Sequence, residues 1–154
     1  MQPLDEREFA SLQARLVPMW PTLTLRRRDE ERTMVVVSSM SVQMPAELVP
    51  LVPAYEERYL IYVLGLARAP GTRVVYVTSQ PILPRMLDYY LCLLPGLDPV
   101  DLHSRLTTIS VGDWSPRPLT QKILERPRLI ERIRSLISNP EAAVLLPFVT
   151  TPLE

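Results

Sequence analysis

Polar side chains that could bind a ligand follow the apolar runs of this sequence. The runs cover residues 33–37, 73–77, 106–111 and 143–149. If they form neighbouring parallel strands, their carboxyl ends meet at one edge of a sheet, which is where such folds bind ligands. The candidate ligand-binding residues at that edge are Ser38, Ser39, Ser79, Gln80, Asp113, Ser115, Arg117 and Thr150.

The residue types at this edge are typical of a binding site for a small anion. Hydroxyl and amide groups can donate hydrogen bonds to a carboxylate or phosphate, and helix starts would add backbone N–H groups. Arg117 lies between two prolines and could present its guanidinium there, or pair with a local acid. In the competing interpretation, Ser79, Asp113 and Ser115 only cap helices and turns, which is the most frequent role of serine and aspartate at such places.

A catalytic or metal centre lacks the residues it would need. Cys92 and His103 are the only cysteine and histidine, which leaves no disulfide and no zinc-ligand spacing. Asp113 could act as a base in a small transferase, but one carboxylate without a partner is a weak signal. We therefore assign no catalytic residue and no metal ligand. We expect Cys92 to be an inert core residue and Lys122, the only lysine, to be solvated on a helix.

Charge and hydropathy restrict the partners. Lys and Arg number 17 and Asp and Glu number 17, so the formal net charge is zero and the chain lacks the net positive charge on which sequence-independent binding of nucleic acid depends. No apolar run reaches the length of a membrane span, and the first residues do not resemble a signal peptide. We expect a cytoplasmic protein without nucleic-acid or membrane partners.

Helical patterns alternate with the apolar runs. This order predicts an α/β fold, a single Rossmann-like three-layer domain with a mainly parallel sheet of about four strands. The first helix is predicted over residues 5–17, ending before Pro18. A second is predicted over 54–67, with a tyrosine face and with Glu56 away from it. Pro147 indicates that the last run is an edge strand or a strand end. Trp114 is either an aromatic residue of a binding site or a cover for the end of the sheet, and the second is the expectation.

Five blocks of the sequence carry a family resemblance. They resemble the amino-terminal region of ATP-grasp ligases related to the peptide ligase of pheganomycin biosynthesis, over roughly residues 33–154. The blocks are residues 55–60, 73–82, 88–91, 115–129 and 147–154. No glycine-rich phosphate loop accompanies them, because the four glycines are scattered.

The resemblance implies a domain organisation and a role. Residues 33–154 would form a Rossmann-type pre-ATP-grasp domain, preceded by a helix and a charged connection in residues 1–32. Full-length relatives resemble carboxylate–amine ligases, which use ATP and Mg²⁺ to activate a carboxylate and pass it to an amine. Their nucleotide-binding and metal-binding residues lie downstream of this region. We therefore expect this chain to need no cofactor by itself, to be inactive alone, and to work as a domain fragment.

The sequence is compatible with two kinds of partner. As a ligase region, the chain would contact ATP-grasp domains and a small carboxylate or amine substrate. Alternatively, it is a free-standing module that binds a small ligand or another protein. The sequence does not distinguish a truncation from a native short protein, and an exposed apolar surface would also favour a homodimer.

Overall fold

Four parallel strands form the centre of the molecule. The computed structural model describes residues 5–24, 31–40 and 45–148. The strand order is β3-β2-β1-β4, and every neighbouring pair is parallel. The strands are β1 (Arg32–Val37), β2 (Thr72–Thr78), β3 (Leu106–Ser110) and β4 (Ala143–Pro147). This arrangement confirms the predicted α/β class with a parallel sheet.

Helices connect the strands and cover both faces of the sheet. The α-helices are α1 (Glu6–Thr24), α2 (Val52–Arg58), α3 (Leu60–Leu66), α4 (Pro84–Cys92), α5 (Pro99–Arg105), α6 (Leu119–Leu124) and α7 (Pro127–Ser135). Short 3-10 helices cover Ala46–Leu51 and Pro140–Ala142. No helix in the described ranges is long and apolar enough to cross a membrane.

Two apolar cores lie on opposite faces of the sheet. Successive strand residues point to opposite faces, so Val36 enters one core while Val35 and Val37 enter the other. The first core contains residues of α3, α4 and α5, and the second contains residues of α6 and α7. Because β1 and β2 are covered on both sides, their continuous apolar runs are the expected pattern. The layers are those of a Rossmann-like domain.

The edge position predicted for the last strand is confirmed. In the described sheet β4 pairs with β1, and its final residue Pro147 lies beside Val37. A proline has no N–H to donate, so it fits an edge strand better than a central one.

Two helix predictions need correction. The first helix does not end before Pro18 but continues to Thr24. A proline disfavours a helix interior through a lost hydrogen bond and a steric clash, but the helix can continue past it. The second helix forms as α2 and α3, with Tyr59 between them.

The buried face of α2 and α3 also differs from the predicted tyrosine face. Tyr62 is 73% exposed. The side chains on the buried face are those of Glu56, Leu60, Val63, Leu64 and Ala67. These positions repeat every three or four residues, as one face of a helix requires. The prediction that Glu56 lies away from the buried face was therefore wrong.

Cys92 is exposed at the end of α4, so its predicted core position was wrong. The neighbouring Tyr90 and Leu91 are buried and occupy the face that packs on the sheet. Because Cys92 is the last residue of α4, it lies off the buried face of the helix although its sequence neighbours are apolar.

The core of α3 supports a stability prediction. Leu64→Ala should lower the free energy of unfolding by about 2–5 kcal/mol, because it removes a fully buried side chain and leaves a cavity. Leu93→Ala is the matched control at a half-exposed position, where we expect a change of about 0.5 kcal/mol or less. Urea unfolding measures both. Equal losses in the two variants would contradict the assignment of the core.

Candidate functional site

A pocket of about 570 Å³ opens at the carboxyl ends of the strands. It lies between the loop that follows β3, the end of β2, and the first turns of α2 and α6. Its apolar wall includes Val49, Pro50, Pro53, Trp114, Pro116 and Pro118. Its polar wall includes Glu56, Ser79, Asp113, Ser115, Arg117 and Lys122. Four of the candidate residues from the sequence, Ser79, Asp113, Ser115 and Arg117, line this pocket.

Gly112 positions the loop that forms one side of the pocket. Its φ of 68° lies in the left-handed region, which glycine adopts without strain. This conformation turns the chain back after β3, and the N–H groups of Gly112 and Asp113 donate to the Ser79 carbonyl at 2.9 and 3.2 Å. The ends of β2 and β3 are thereby held together, and Asp113 lies beside Ser79.

Glu56 and Lys122 form the buried floor of the pocket through Ser79. The Glu56 carboxylate accepts hydrogen bonds from the Ser79 N–H at 2.6 Å and from the Ser79 hydroxyl at 2.8 Å. Lys122 Nζ donates to the same hydroxyl oxygen at 3.2 Å and to the Asp113 carbonyl at 2.9 Å. Glu56 is 1% exposed and Lys122 is 2% exposed. One serine therefore links a buried carboxylate to a buried ammonium.

Burial shifts the pKa of both groups toward their neutral forms. It raises the pKa of Glu56, while the two hydrogen bonds from Ser79 and the charge of Lys122 act in the opposite direction. Burial also lowers the pKa of Lys122, against the attraction of Asp113 and Glu56. Each charge is thus compensated in part by the other, together with Ser79 and Asp113, because both side chains are almost completely removed from water.

Asp113 organises the outer part of the site. Its Oδ1 accepts from the Ser115 N–H at 2.8 Å, and its Oδ2 accepts from Arg117 at 3.2 Å and from Arg126 at 3.1 Å. Hydrogen bonds from the side chain and backbone of Ser115, and then from Arg126, hold the pKa of Asp113 well below its ordinary value. Asp113 is therefore an ionised anchor for the loop and a poor proton acceptor.

Arg117 is held in place from three directions. Its Nη1 donates to Glu125 at 2.6 Å, its Nη2 to Asp113, and its Nε to the Ser115 hydroxyl at 3.2 Å. The side chain remains 41% exposed at the pocket wall. A guanidinium has five N–H donors, so Arg117 keeps donors for a ligand after these contacts. The pairing with a local acid that the sequence left open is thus present, with Asp113 and Glu125 as partners.

The charges of this network balance. Three cations, Arg117, Lys122 and Arg126, interact with three anions, Glu56, Asp113 and Glu125. A polyanion would find no uncompensated positive charge among these groups. A neutral polar ligand or a zwitterion, with an apolar portion for the proline and tryptophan wall, fits the arrangement better.

Three of the remaining candidates, Ser38, Ser39 and Gln80, do not line this pocket. Ser38 is fully buried and donates its hydroxyl to the Val77 carbonyl at 2.8 Å, which ties β1 to β2. Ser39 is also fully buried. The side-chain nitrogen of Gln80 is buried and has no hydrogen-bond partner among the described residues. Thr150 lies outside the described residues.

Glu56 and Lys122 are not among the candidate site residues predicted from the sequence. The predicted solvated lysine was wrong, because Lys122 lies between Leu119 and Ile123 on the buried side of α6. Glu56 lies one helical turn before the buried Leu60. In both cases the sequence feature that could have indicated burial was a charged residue three or four positions from an apolar residue of the buried helix face. The expectation that Trp114 covers the sheet end was also wrong, since this side chain is 76% exposed at the pocket wall.

The described residues do not provide a metal site of the usual kind. No group of three or more His, Cys, Asp or Glu side chains in the described ranges could hold a metal ion. The carboxylates at the pocket already accept hydrogen bonds from Ser79, Ser115 and the arginines.

One curated protein is clearly similar to this chain. It is the L-propargylglycine–L-glutamate ligase of Streptantibioticus cattleyicolor, which is 34% identical over 109 residues. The aligned region covers 69% of this chain but 22% of that ligase, so the chain matches only part of a much longer protein. No family model matches the chain, and no solved structure matches it.

The buried Glu56 supports a prediction about pH. Because its pKa is raised in the folded state, the folded protein binds this proton more tightly than the unfolded chain does. The contribution of Glu56 to stability should therefore fall as the pH rises from about 4.5, its ordinary pKa, through the raised folded pKa. Glu56→Gln removes the titrating carboxyl group, and with it this pH-dependent loss of stability. The unfolding free energy of the wild type minus that of the variant should decrease with rising pH.

Urea unfolding at several pH values between about 4 and 8 measures this difference. Glu47→Gln makes the same change in formal charge at an exposed position and is the matched control. A difference between wild type and Glu56→Gln that stays constant or increases with pH would contradict the assignment.

Proposed function

We propose, from the kinship of this chain with a region of an ATP-grasp peptide ligase, that it works as a non-catalytic domain of such an enzyme. In this proposal residues 33–154 form the domain that precedes the ATP-grasp domains, and residues 1–32 lead into it. The domain is a scaffold for the ligase and contributes to binding of a carboxylate or amine substrate. The 34% identity to the ligase is the observation that carries the proposal.

The pocket at the strand ends supports a substrate-binding role. The similar ligase takes its name from L-propargylglycine, a zwitterion without net charge at neutral pH, and from L-glutamate, whose side-chain carboxylate adds one negative charge. A zwitterion suits a pocket whose own charges balance. We propose that the ligand carboxylate binds the free donors of Arg117, and that its side chain contacts the apolar wall formed by Trp114 and its neighbouring prolines.

The described residues do not fit ATP with Mg²⁺. The sequence has no glycine-rich phosphate loop, and the cations of the pocket are already paired with carboxylates. ATP and Mg²⁺ would supply carboxylate activation in the complete ligase, held by residues outside the described ranges. The role that we propose for this domain is to bind and orient a substrate, in an enzyme that works in the cytoplasm.

Arg117 provides the direct test of the binding role. Calorimetric titration of the chain with L-glutamate, L-propargylglycine and a dipeptide of the two should show binding of at least one. Arg117→Ala should weaken that binding about tenfold or more, because it removes a charge-assisted hydrogen bond to the ligand carboxylate. Arg128→Ala, at an exposed position of α7 away from the pocket, is the matched control and should leave the affinity unchanged. Equal affinities of Arg117→Ala and wild type, or no binding of any of these ligands, would contradict the proposed site.

A second titration tests the proposal that the ATP site lies in other parts of the enzyme. The chain alone should show no binding of ATP in the presence of Mg²⁺. The titration with amino acids, made on the same sample, serves as the control for protein quality. A micromolar affinity for ATP would contradict the proposal that the nucleotide site lies elsewhere.

A further inference from the structure

An apolar groove is open on the face of the sheet that α6 and α7 cover. It has a volume of about 470 Å³ and lies over β1 and β4. Val35 and Val37 line it from β1, and the strand register places Leu145 beside Val35. Leu145 is 58% exposed, and Leu124, which lines the groove from the end of α6, is 57% exposed. In a parallel sheet with helices on both faces, such a position normally carries a helix.

Helix α1 has an apolar stripe without a partner among the described residues. Phe9, Leu12 and Leu16 follow one another at spacings of three and four residues, so they share one face of the helix. Each of them is about half exposed. The other side chains of α1 up to Pro18 are exposed as well. The stripe and the groove are thus two unpartnered apolar surfaces in the described parts of the same chain.

The connectivity of the chain favours pairing of these two surfaces. Helix α1 leads into β1, and the connection from Thr24 to Arg32 is close in length to an ordinary helix-to-strand loop. Fully extended, such a connection spans up to about 25 Å. The other face of the sheet beside β1 is already filled, because Val36 packs there in the core formed with α3. The groove is therefore the open position next to the strand that α1 enters.

The dimensions of the stripe and the groove also agree. From Phe9 to Leu16 the stripe is about 10 Å long, at about 1.5 Å per helical residue. The five residues of β4 extend about 17 Å. The stripe therefore fits within the length of the groove.

We propose that α1 docks in this groove of its own chain, with Phe9, Leu12 and Leu16 against β1, β4 and α7, and completes the helical layer on that face. The occupant is the helix of the same chain because a short connection gives it a high effective concentration at the groove. The proposal is independent of the ligase assignment. It adds α1 as a packed helix to the sheet domain that residues 33–154 form, so that the segment leading into the domain also covers one of its faces.

Disulfide cross-linking tests the proposal. Leu12→Cys and Leu145→Cys are introduced together in the Cys92→Ser background of the 154-residue chain, at positions whose exposure makes both changes tolerable. Oxidation should give an intramolecular disulfide, seen as a monomer of altered mobility without reductant and identified by peptide mass spectrometry. The pair Ser11→Cys and Leu145→Cys, from the other face of α1, is the matched control and should cross-link at least fivefold less.

Four results would overturn the proposal. Disulfide-linked dimers in place of monomers would make a second copy of the chain the occupant. Absence of cross-linking, or equal cross-linking of the two pairs, would show that α1 does not use the groove. Dye binding gives a second readout, since Leu12→Glu should raise the fluorescence of an apolar-surface dye at least twofold over wild type and Ser11→Glu should not. Equal fluorescence of the two variants would likewise overturn the proposal.

Discussion

The shared hydrogen bonding of Ser79 to Glu56 and Lys122 is the constraint on which the site depends. A carboxylate and an ammonium are removed from water together, and such a burial is tolerated only when the partners and hydrogen bonds are in place. The three residues belong to α2, the end of β2 and α6. Their contact therefore fixes the two helices relative to the sheet edge. Because Lys122 also donates to the Asp113 carbonyl, the loop that carries Arg117 is fixed by the same group.

The sequence was sufficient to predict the parallel sheet, and four of its eight candidate site residues line the pocket at the strand ends. Continuous apolar runs such as 33–37 and 73–77 indicated strands covered on both faces, and the helical patterns between them required parallel crossovers. The edge position of β4 followed from Pro147. The resemblance to ATP-grasp peptide ligases is confirmed by the match to the Streptantibioticus ligase. These features depend on local patterns or on long blocks of similar residues, which a single sequence contains.

The floor of the pocket could not be predicted in the same way. A charged residue in a helix is normally solvated, and Glu56, Ser79 and Lys122 are far apart in the sequence. Only the packing of α2 and α6 against the end of β2 makes them partners. Cys92 shows the converse, because its apolar surroundings suggested burial while the end of α4 leaves it exposed. In both cases the rotation of a short helix about its axis determines which side chains are buried. The periodicity of one or two helical turns defines that rotation poorly.

The buried charges thus have a structural role, and the outer charges have the binding role that we propose. Everything at the pocket depends on the mutual compensation of Glu56 and Lys122 through Ser79. A double-mutant cycle with Glu56→Gln and Lys122→Met, followed by urea unfolding at neutral pH, measures this interaction most directly. We predict that the double variant is less destabilised than the sum of the single variants, with a coupling of about 1–3 kcal/mol. Strictly additive losses would contradict the mutual compensation of the two charges.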